Sequence, residues 1–199
     1  MLILGILGGV ACGKSLVARQ FAELGAGLLD ADRAGHEVLR MPEVEQAARA
    51  RWGDGIFGAD GHVDRAALAK IVFAPGAEAR RELTYLEQLT HPGIATCLRQ
   101  QAGQFAAQHI RAVVLDAPLL LRAGWNVLCD QIIFIDAPWE VRVARAATRG
   151  WNEAEVRRRE AAQEPLEEKR RRADGVIDNS GSPEHTRAQV VVLWKSLLE

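Results

Sequence analysis

Between a short apolar run and an amphipathic stretch lies Gly8-Gly9-Val10-Ala11-Cys12-Gly13-Lys14-Ser15. This is the phosphate-loop pattern G-x-x-x-x-G-K-[ST], and its flanks give the pattern meaning. Residues 2–7 form a continuous apolar run, as in a strand buried on both faces of a parallel sheet. Residues 15–24 alternate at helical period, and Gly25 and Gly27 end that helix. The glycines let the backbone curl so that its N–H groups face one concavity. The helix N-terminus adds partial positive charge there. Lys14 would place a point charge on the β- and γ-phosphates, and Ser15 would offer its hydroxyl to Mg²⁺.

The remainder keeps the same alternation. Residues 27–30, 112–116, 131–136 and 176–177 read as further strands. Residues 31–108 are mostly helical, with a loop over 53–61 anchored by Ile56 and Phe57. Asp64 is expected to cap a helix over 65–72, and Pro75-Gly76 to break before the next. Pro92 is expected to interrupt the helix at His91. Residues 139–148, 152–163, 166–172 and 183–198 read as helices, with the first beginning at Pro138. Strands alternating with helices predict an α/β fold, a parallel sheet flanked by helices.

In such sheets ligands sit beyond the carboxyl ends of the strands. Asp30, Asp32, Asp116 and Asp136 fall at or just past such ends. Asp32 is suited to accept a proton from an acceptor hydroxyl or to bind Mg²⁺ through water. Asp116 resembles the acid that closes a phosphate-loop metal site, with a turn or cap as its plainer role. Asp30 reads equally well as a helix cap, and Asp136 simply precedes a helix start.

Charge is unevenly spread. The net charge is −1, yet residues 142–172 carry ten basic and six acidic side chains, leaving the rest at −5. Arg142, Arg145 and Arg149 share one helical face. Most of the basic charges suit a solvated surface with ion pairs such as Glu153–Arg157 and Glu155–Arg159. Arg145 and Arg149 are the two expected to clamp a transferring phosphoryl group. The tryptophans, at 52, 125, 139, 151 and 194, form no helical stripe and read as core or rim.

Several classes are excluded. A near-neutral balance argues against a general nucleic-acid binder. No apolar run approaches the ~18 residues of a membrane span, and the N-terminus lacks the charged start of a signal peptide. Cys12, Cys97 and Cys129 form no C-x-x-C pair, so neither disulfides nor zinc is indicated, and a cytoplasmic location is expected. Asp32-Arg33-Ala34-Gly35 fits the D-x-x-G of GTP switches, but no Asn-Lys-x-Asp accompanies it. Another small-molecule kinase and a non-catalytic ATP-binding module stay open as alternatives.

With the phosphate loop come the blocks Leu29-Asp30-Ala31-Asp32, His91-Pro92, Leu115-Asp116-Ala117-Pro118-Leu119-Leu120, Ala162-Gln163, Ala173-Asp174 and Ile177-Asp178-Asn179-Ser180-Gly181. In this order, and over nearly the whole chain, they resemble the dephospho-CoA kinases. The resemblance implies a single phosphate-loop kinase domain, with a helical substrate-binding insertion near 34–108 and a helical lid near 139–172. It implies ATP-dependent phosphorylation of the ribose 3′-hydroxyl of dephospho-CoA, the last step of coenzyme A synthesis, with Mg²⁺. ATP would lie on Gly8, Gly9, Ala11, Cys12, Gly13, Lys14, Ser15 and Leu16, with Arg149 assisting and Asn179 flanking the adenine. Lys14, Asp32 as general base and Arg145 would carry catalysis, and Ser15 would hold the metal. Asp32, His91, Asp116, Pro118 and Leu119 would face the acceptor.

Three positions depart from the family pattern. Leu7 stands where Thr is usual, and Leu121-Arg122 where Phe-Glu is usual. Cys12 replaces a small Ser, and the helix N-terminus beside it is expected to lower its thiol pKa and favour oxidation.

Overall fold

The computed structural model describes residues 1–198. In chain order the elements are β1 (Leu2–Gly8), α1 (Lys14–Glu23), β2 (Gly27–Asp30), α2 (Ala31–Val38), α3 (Pro42–Trp52), α4 (Arg65–Val72) and α5 (Ala77–Ala107). Then follow β3 (Ala112–Asp116), β4 (Gln131–Asp136), α6 (Trp139–Ala147), α7 (Glu153–Ala161), α8 (Leu166–Arg171), β5 (Gly175–Asp178) and α9 (Pro183–Leu198). Single 3₁₀ turns occupy Asp54–Ile56 and Trp125–Leu128. The backbone divides into two compact units, Met1–Asp30 with the chain from Gln101 onward, and Ala31–Gln100.

The first unit is built on a parallel sheet ordered β2-β3-β1-β4-β5. The central strands bury both faces, as their unbroken apolar runs require: Leu4, Ile6, Val113, Val114, Leu115, Ile133 and Ile135 are all fully buried. Helices α1 and α9 pack together, with the Phe21 and Trp194 rings tilted at a centroid distance of 6.0 Å. Phe21, Val17 and Val190 join the sheet residues in one core cluster. Register brings the strand ends level: Asp116 lies beside Asp30 on one side and Ile6 on the other, and Asp136 lies beside Asp178.

The second unit is helical. Its core gathers Ala48, Ile56, Leu68 and Val72, with Trp52 and Phe57 packed against them. The Asp64 carboxylate caps α4, accepting from the backbone N–H groups of Ala66 at 2.8 Å and Ala67 at 3.3 Å. Arg51 makes a bidentate pair with Glu82, at 2.9 and 2.6 Å, and the Trp52 indole donates to the same carboxylate at 2.8 Å. The Arg51 fork holds the Glu82 carboxyl below its usual range.

One sequence expectation fails here. Helix α5 runs unbroken through His91 and Pro92. Proline removes one backbone hydrogen bond and strains the residue before it, a local penalty. Thr90, Ile94, Cys97 and Leu98 bury one stripe of this helix on both sides of the proline. That burial outweighs the local preference. The Thr96 hydroxyl also returns to the Pro92 carbonyl at 3.1 Å.

Candidate active site

The loop from Gly9 to Gly13 joins β1 to α1 and depends on residues without a side chain. A Cβ at Gly8 would run into the Cys12 sulfur and stand 2.8 Å from the Ile135 carbonyl oxygen. Gly13 has φ +98° and lies against the Asn179 amide, so neither its backbone angle nor its space admits another residue. Ala11 is also left-handed, at φ 59°, a conformation that costs a non-glycine residue about 1–2 kcal/mol. The Cys12 N–H closes the turn onto the Gly9 carbonyl at 3.2 Å.

Side chains from later in the chain hold the loop by its carbonyls. Asn179, fully buried just after β5, donates its amide to the Cys12 carbonyl at 2.7 Å. Its own amide oxygen accepts from the Thr186 hydroxyl at 2.7 Å. Arg145 on α6 donates to the same Cys12 carbonyl at 3.2 Å. Arg142, one turn earlier and only 5% exposed, donates to the Val10 carbonyl at 3.4 Å and the Ala137 carbonyl at 3.1 Å, and is ion-paired with Glu160. Lys169 on α8, 2% exposed, places its ammonium 3.4 Å from the Gly8 carbonyl and 2.7 Å from Gln163 Oε1. Burial, and next the charge of Lys14, pull its pKa down.

Above the loop is a cavity of about 370 Å³. It is lined by Ala11, Cys12, Gly13, Lys14, Ser15, Leu16 and Arg19 of the loop and α1, by Arg145, Thr148 and Arg149 of α6 and its end, and by Asn179 and Pro183. A helix N-terminus, an ammonium and guanidinium groups around one concavity suit a polyphosphate. The Ser15 hydroxyl lies 3.5 Å from the Asp116 carboxylate. Among the described residues, no group of three or more His, Cys, Asp or Glu is placed to hold a metal ion. A hydroxyl with one carboxylate, both hard oxygen donors, nevertheless fits Mg²⁺, which keeps waters and takes phosphate oxygens for the rest of its shell.

Of the sequence candidates, Ala11, Cys12, Gly13, Lys14, Ser15, Leu16, Arg145, Arg149 and Asn179 thus meet around this cavity. Gly8 and Gly9 form its supporting strand end and turn, and Pro118 and Leu119 follow β3 in the loop beyond Asp116. Asp32 sits in the first turn of α2, two residues past β2, with its side chain exposed. His91 is half-buried in the middle of α5. Both belong to the helical unit. Asn179 has an additional role that its sequence position did not announce, because its amide is engaged with the loop and with Thr186 rather than open to a base.

The expectation for Cys12 is reversed. Its thiol is 1% exposed within the main core cluster, and burial raises its pKa against the opposing pull of Lys14. Desolvation of a thiolate exceeds the helix-terminus effect here, so this thiol is protected rather than reactive. The surface pairs Glu153–Arg157 and Glu155–Arg159 do form, at 2.6 and 2.7 Å. Arg142 and Lys169 were missed. Helical phase relative to neighbouring apolar residues marks Arg142 on α6, whereas Lys169 stands in a run of charges on a six-residue helix with no period to read.

Comparison with known proteins agrees over the whole chain. A family model described as dephospho-CoA kinase matches residues 2–185. A dephospho-CoA kinase of Geobacter metallireducens is 41% identical, covering 100% of this chain and 98% of that protein. A crystal structure from Thermus thermophilus aligns with a TM-score of 0.79 at 34% identity, over 98% of this chain and 97% of that one. The dephospho-CoA kinase of Campylobacter jejuni aligns with a TM-score of 0.65 at 25% identity, over 98% and 97%.

Proposed function

The chain belongs to the dephospho-CoA kinase family, and from that premise we propose how its residues divide the work of the reaction. The activity is ATP-dependent phosphorylation of dephospho-CoA at the ribose 3′-hydroxyl, giving coenzyme A. The observation that carries it is the cavity over the phosphate loop lined by Lys14, Arg145 and Arg149, within a chain that matches the family from residue 2 to residue 185.

ATP lies with its phosphates on the loop amides, the N-terminus of α1 and Lys14. Arg145 and Arg149 close on the phosphates from α6 and its end. In-line transfer then needs little covalent chemistry from the protein, only positioning and stabilisation of the charge on the transferring group. Ser15 and Asp116 would hold Mg²⁺. When bound, the ion neutralises charge on the phosphate oxygens. Asp32 orients the 3′-hydroxyl and takes its proton at a carboxylate oxygen. Asp32, His91, Asp116, Pro118 and Leu119 are the residues assigned to the acceptor. The segment 139–172 acts as a lid, a reading supported by Arg145, Thr148 and Arg149, which line the nucleotide cavity. Closure excludes water, which would otherwise take the phosphoryl group. The finer parts of the reading, Mg²⁺ and a cytoplasmic setting, rest on the donor set at Ser15 and on the small-molecule substrates. No helix among the described residues is long and apolar enough to cross a membrane.

The test is direct: purified protein, Mg²⁺-ATP and dephospho-CoA, with 3′-phosphate formation followed by chromatography. Coenzyme A should appear in proportion to ADP. ADP release without coenzyme A, or transfer to another alcohol acceptor only, would overturn the reading.

A further inference from the structure

The carbonyls of Gly8, Val10 and Cys12, every second one along the loop, each meet a cationic side chain. A trans peptide points its C=O and the next N–H in opposite directions, and there is no cis bond among the described residues. Cations drawn to those carbonyls therefore bias the N–H groups of Gly9, Ala11 and Gly13 toward the other side of the loop. The three cations are not equivalent. Arg142 is compensated by Glu160. Arg145 reaches the nucleotide cavity. Lys169 lies outside that lining, and among the described residues its hydrogen-bond partners, Gly8 O and Gln163 Oε1, are both neutral. Glu160 and Glu164 attract it only from a distance, while Lys14 repels it.

A buried ammonium held by neutral groups and facing a second lysine is costly to a fold. We propose that Lys169 is a positioning residue for the nucleotide: its ammonium sits behind the phosphate loop, keeps the loop's N–H groups aimed at the phosphates, and has the polyphosphate as its missing counter-ion. This rests on the kinase reading for the identity of the ligand, and it adds a residue on α8 to a nucleotide site whose lining comes from other parts of the chain. The charge opposes the nucleotide-free fold and favours the nucleotide-bound one, so stability and affinity should move in opposite directions when it is removed. A residue that merely fills space would move them together.

The experiment compares the parent with Lys169→Met, which keeps the unbranched stem without the charge, and Lys169→Arg, which keeps the charge. Mg²⁺-ADP binding is read by calorimetry, nucleotide-free stability by thermal melting, and KM for both substrates by coenzyme A formation. Lys169→Met should melt no lower than the parent yet bind Mg²⁺-ADP about 10- to 50-fold more weakly, the scale of one unit charge acting on a polyphosphate through a partly desolvated loop. Its KM for ATP should rise while that for dephospho-CoA stays put, and Lys169→Arg should recover most of the affinity. Parent-like ADP affinity in Lys169→Met, or a chain that melts lower or does not fold, overturns the proposal. So does a Lys169→Arg protein as weak as Lys169→Met. If the parent itself makes no coenzyme A, the kinase reading fails, and ADP binding still decides the role of Lys169.

Discussion

Replacing Asn179 with alanine should loosen the phosphate loop from a distance, by an amount the structure sets. The side chain is fully buried and makes hydrogen bonds of 2.7 Å in each direction, to the Cys12 carbonyl and from the Thr186 hydroxyl. A net hydrogen bond contributes about 1 kcal/mol, and a buried partner left unsatisfied costs about 1–3 kcal/mol. Both partners keep a second contact: Cys12 O accepts from Arg145 at 3.2 Å, and Thr186 donates to Ser182 O at 3.3 Å. The lower end applies, so the expected loss is about 2–3 kcal/mol. For a chain of this size that is a fall in melting temperature of about 5–10 °C. Thr186→Val removes one of the same two bonds, and in a double-mutant cycle the two changes should cost about 1 kcal/mol less than their sum. Because Gly13 packs on the Asn179 amide, ATP affinity should also fall, by about tenfold, close to 1.4 kcal/mol. The assays are thermal melting and calorimetric titration. An Asn179→Ala protein that melts within about 1 °C of the parent, or additive costs in the cycle, would refute the argument that this amide ties α9 to the loop.

Other changes separate the remaining roles. Lys14→Met should lower coenzyme A formation by about 100-fold or more, as for loss of a preorganised electrostatic contact in an active site, measured by steady-state turnover. Asp32→Asn should lower kcat at least as far while ADP affinity, read by calorimetry, stays at the parent value, and unchanged turnover would reject the base assignment. Asp64→Ala removes the cap of α4 and should cost about 1 kcal/mol in a urea melt, with kinase activity retained. Burial pushes the Cys129 thiol from 9.0 to about 12. The neutral thiol is therefore the favoured form in the fold, and its stabilising effect is present below pH 9.0 and lost as pH rises toward 12. Urea midpoints measured up that range should fall more steeply for the parent than for Cys129→Ala.

The central strands β1, β3 and β4 were legible because parallel strands buried on both faces are written as unbroken apolar runs. The bounds 27–30, 112–116 and 131–136 emerge the same from sequence and structure. The phosphate loop was legible for a different reason: its glycines are demanded by contacts so close that no other residue fits, as at Gly8 and Gly13. The errors share a form. At Pro92 and at Cys12 a sound local rule was outweighed by burial that no window of a few residues contains. The stripe of Thr90, Ile94, Cys97 and Leu98 carries α5 past the proline. The Cys12 thiol is enclosed with Val17, Ile135 and Ile177, which come from three other elements.

The basic segment shows where reading charge by count stops working. Arg157, Arg158 and Arg159 are exposed and paired within their own helix to Glu153 and Glu155, ion pairs that spacing alone predicts. Lys169 stands in an equally charged stretch and Arg142 on the more apolar α6, yet both serve carbonyls more than 130 residues away in the chain. What separates the two groups is helical phase: Arg142 and Ala146 share the buried face of α6, and Lys169 is the buried residue of α8. A cation on the apolar face of a short amphipathic helix is expensive unless something anionic or carbonyl-rich faces it. That requirement, applied to phase rather than to sequence distance, would have marked Arg142 from its position four residues before Ala146. It would have failed for Lys169, because α8 is only six residues long and carries a single buried position. For so short a helix the sequence contains no period to read, and the tertiary contact with Gly8 is the first place where the residue's role becomes visible.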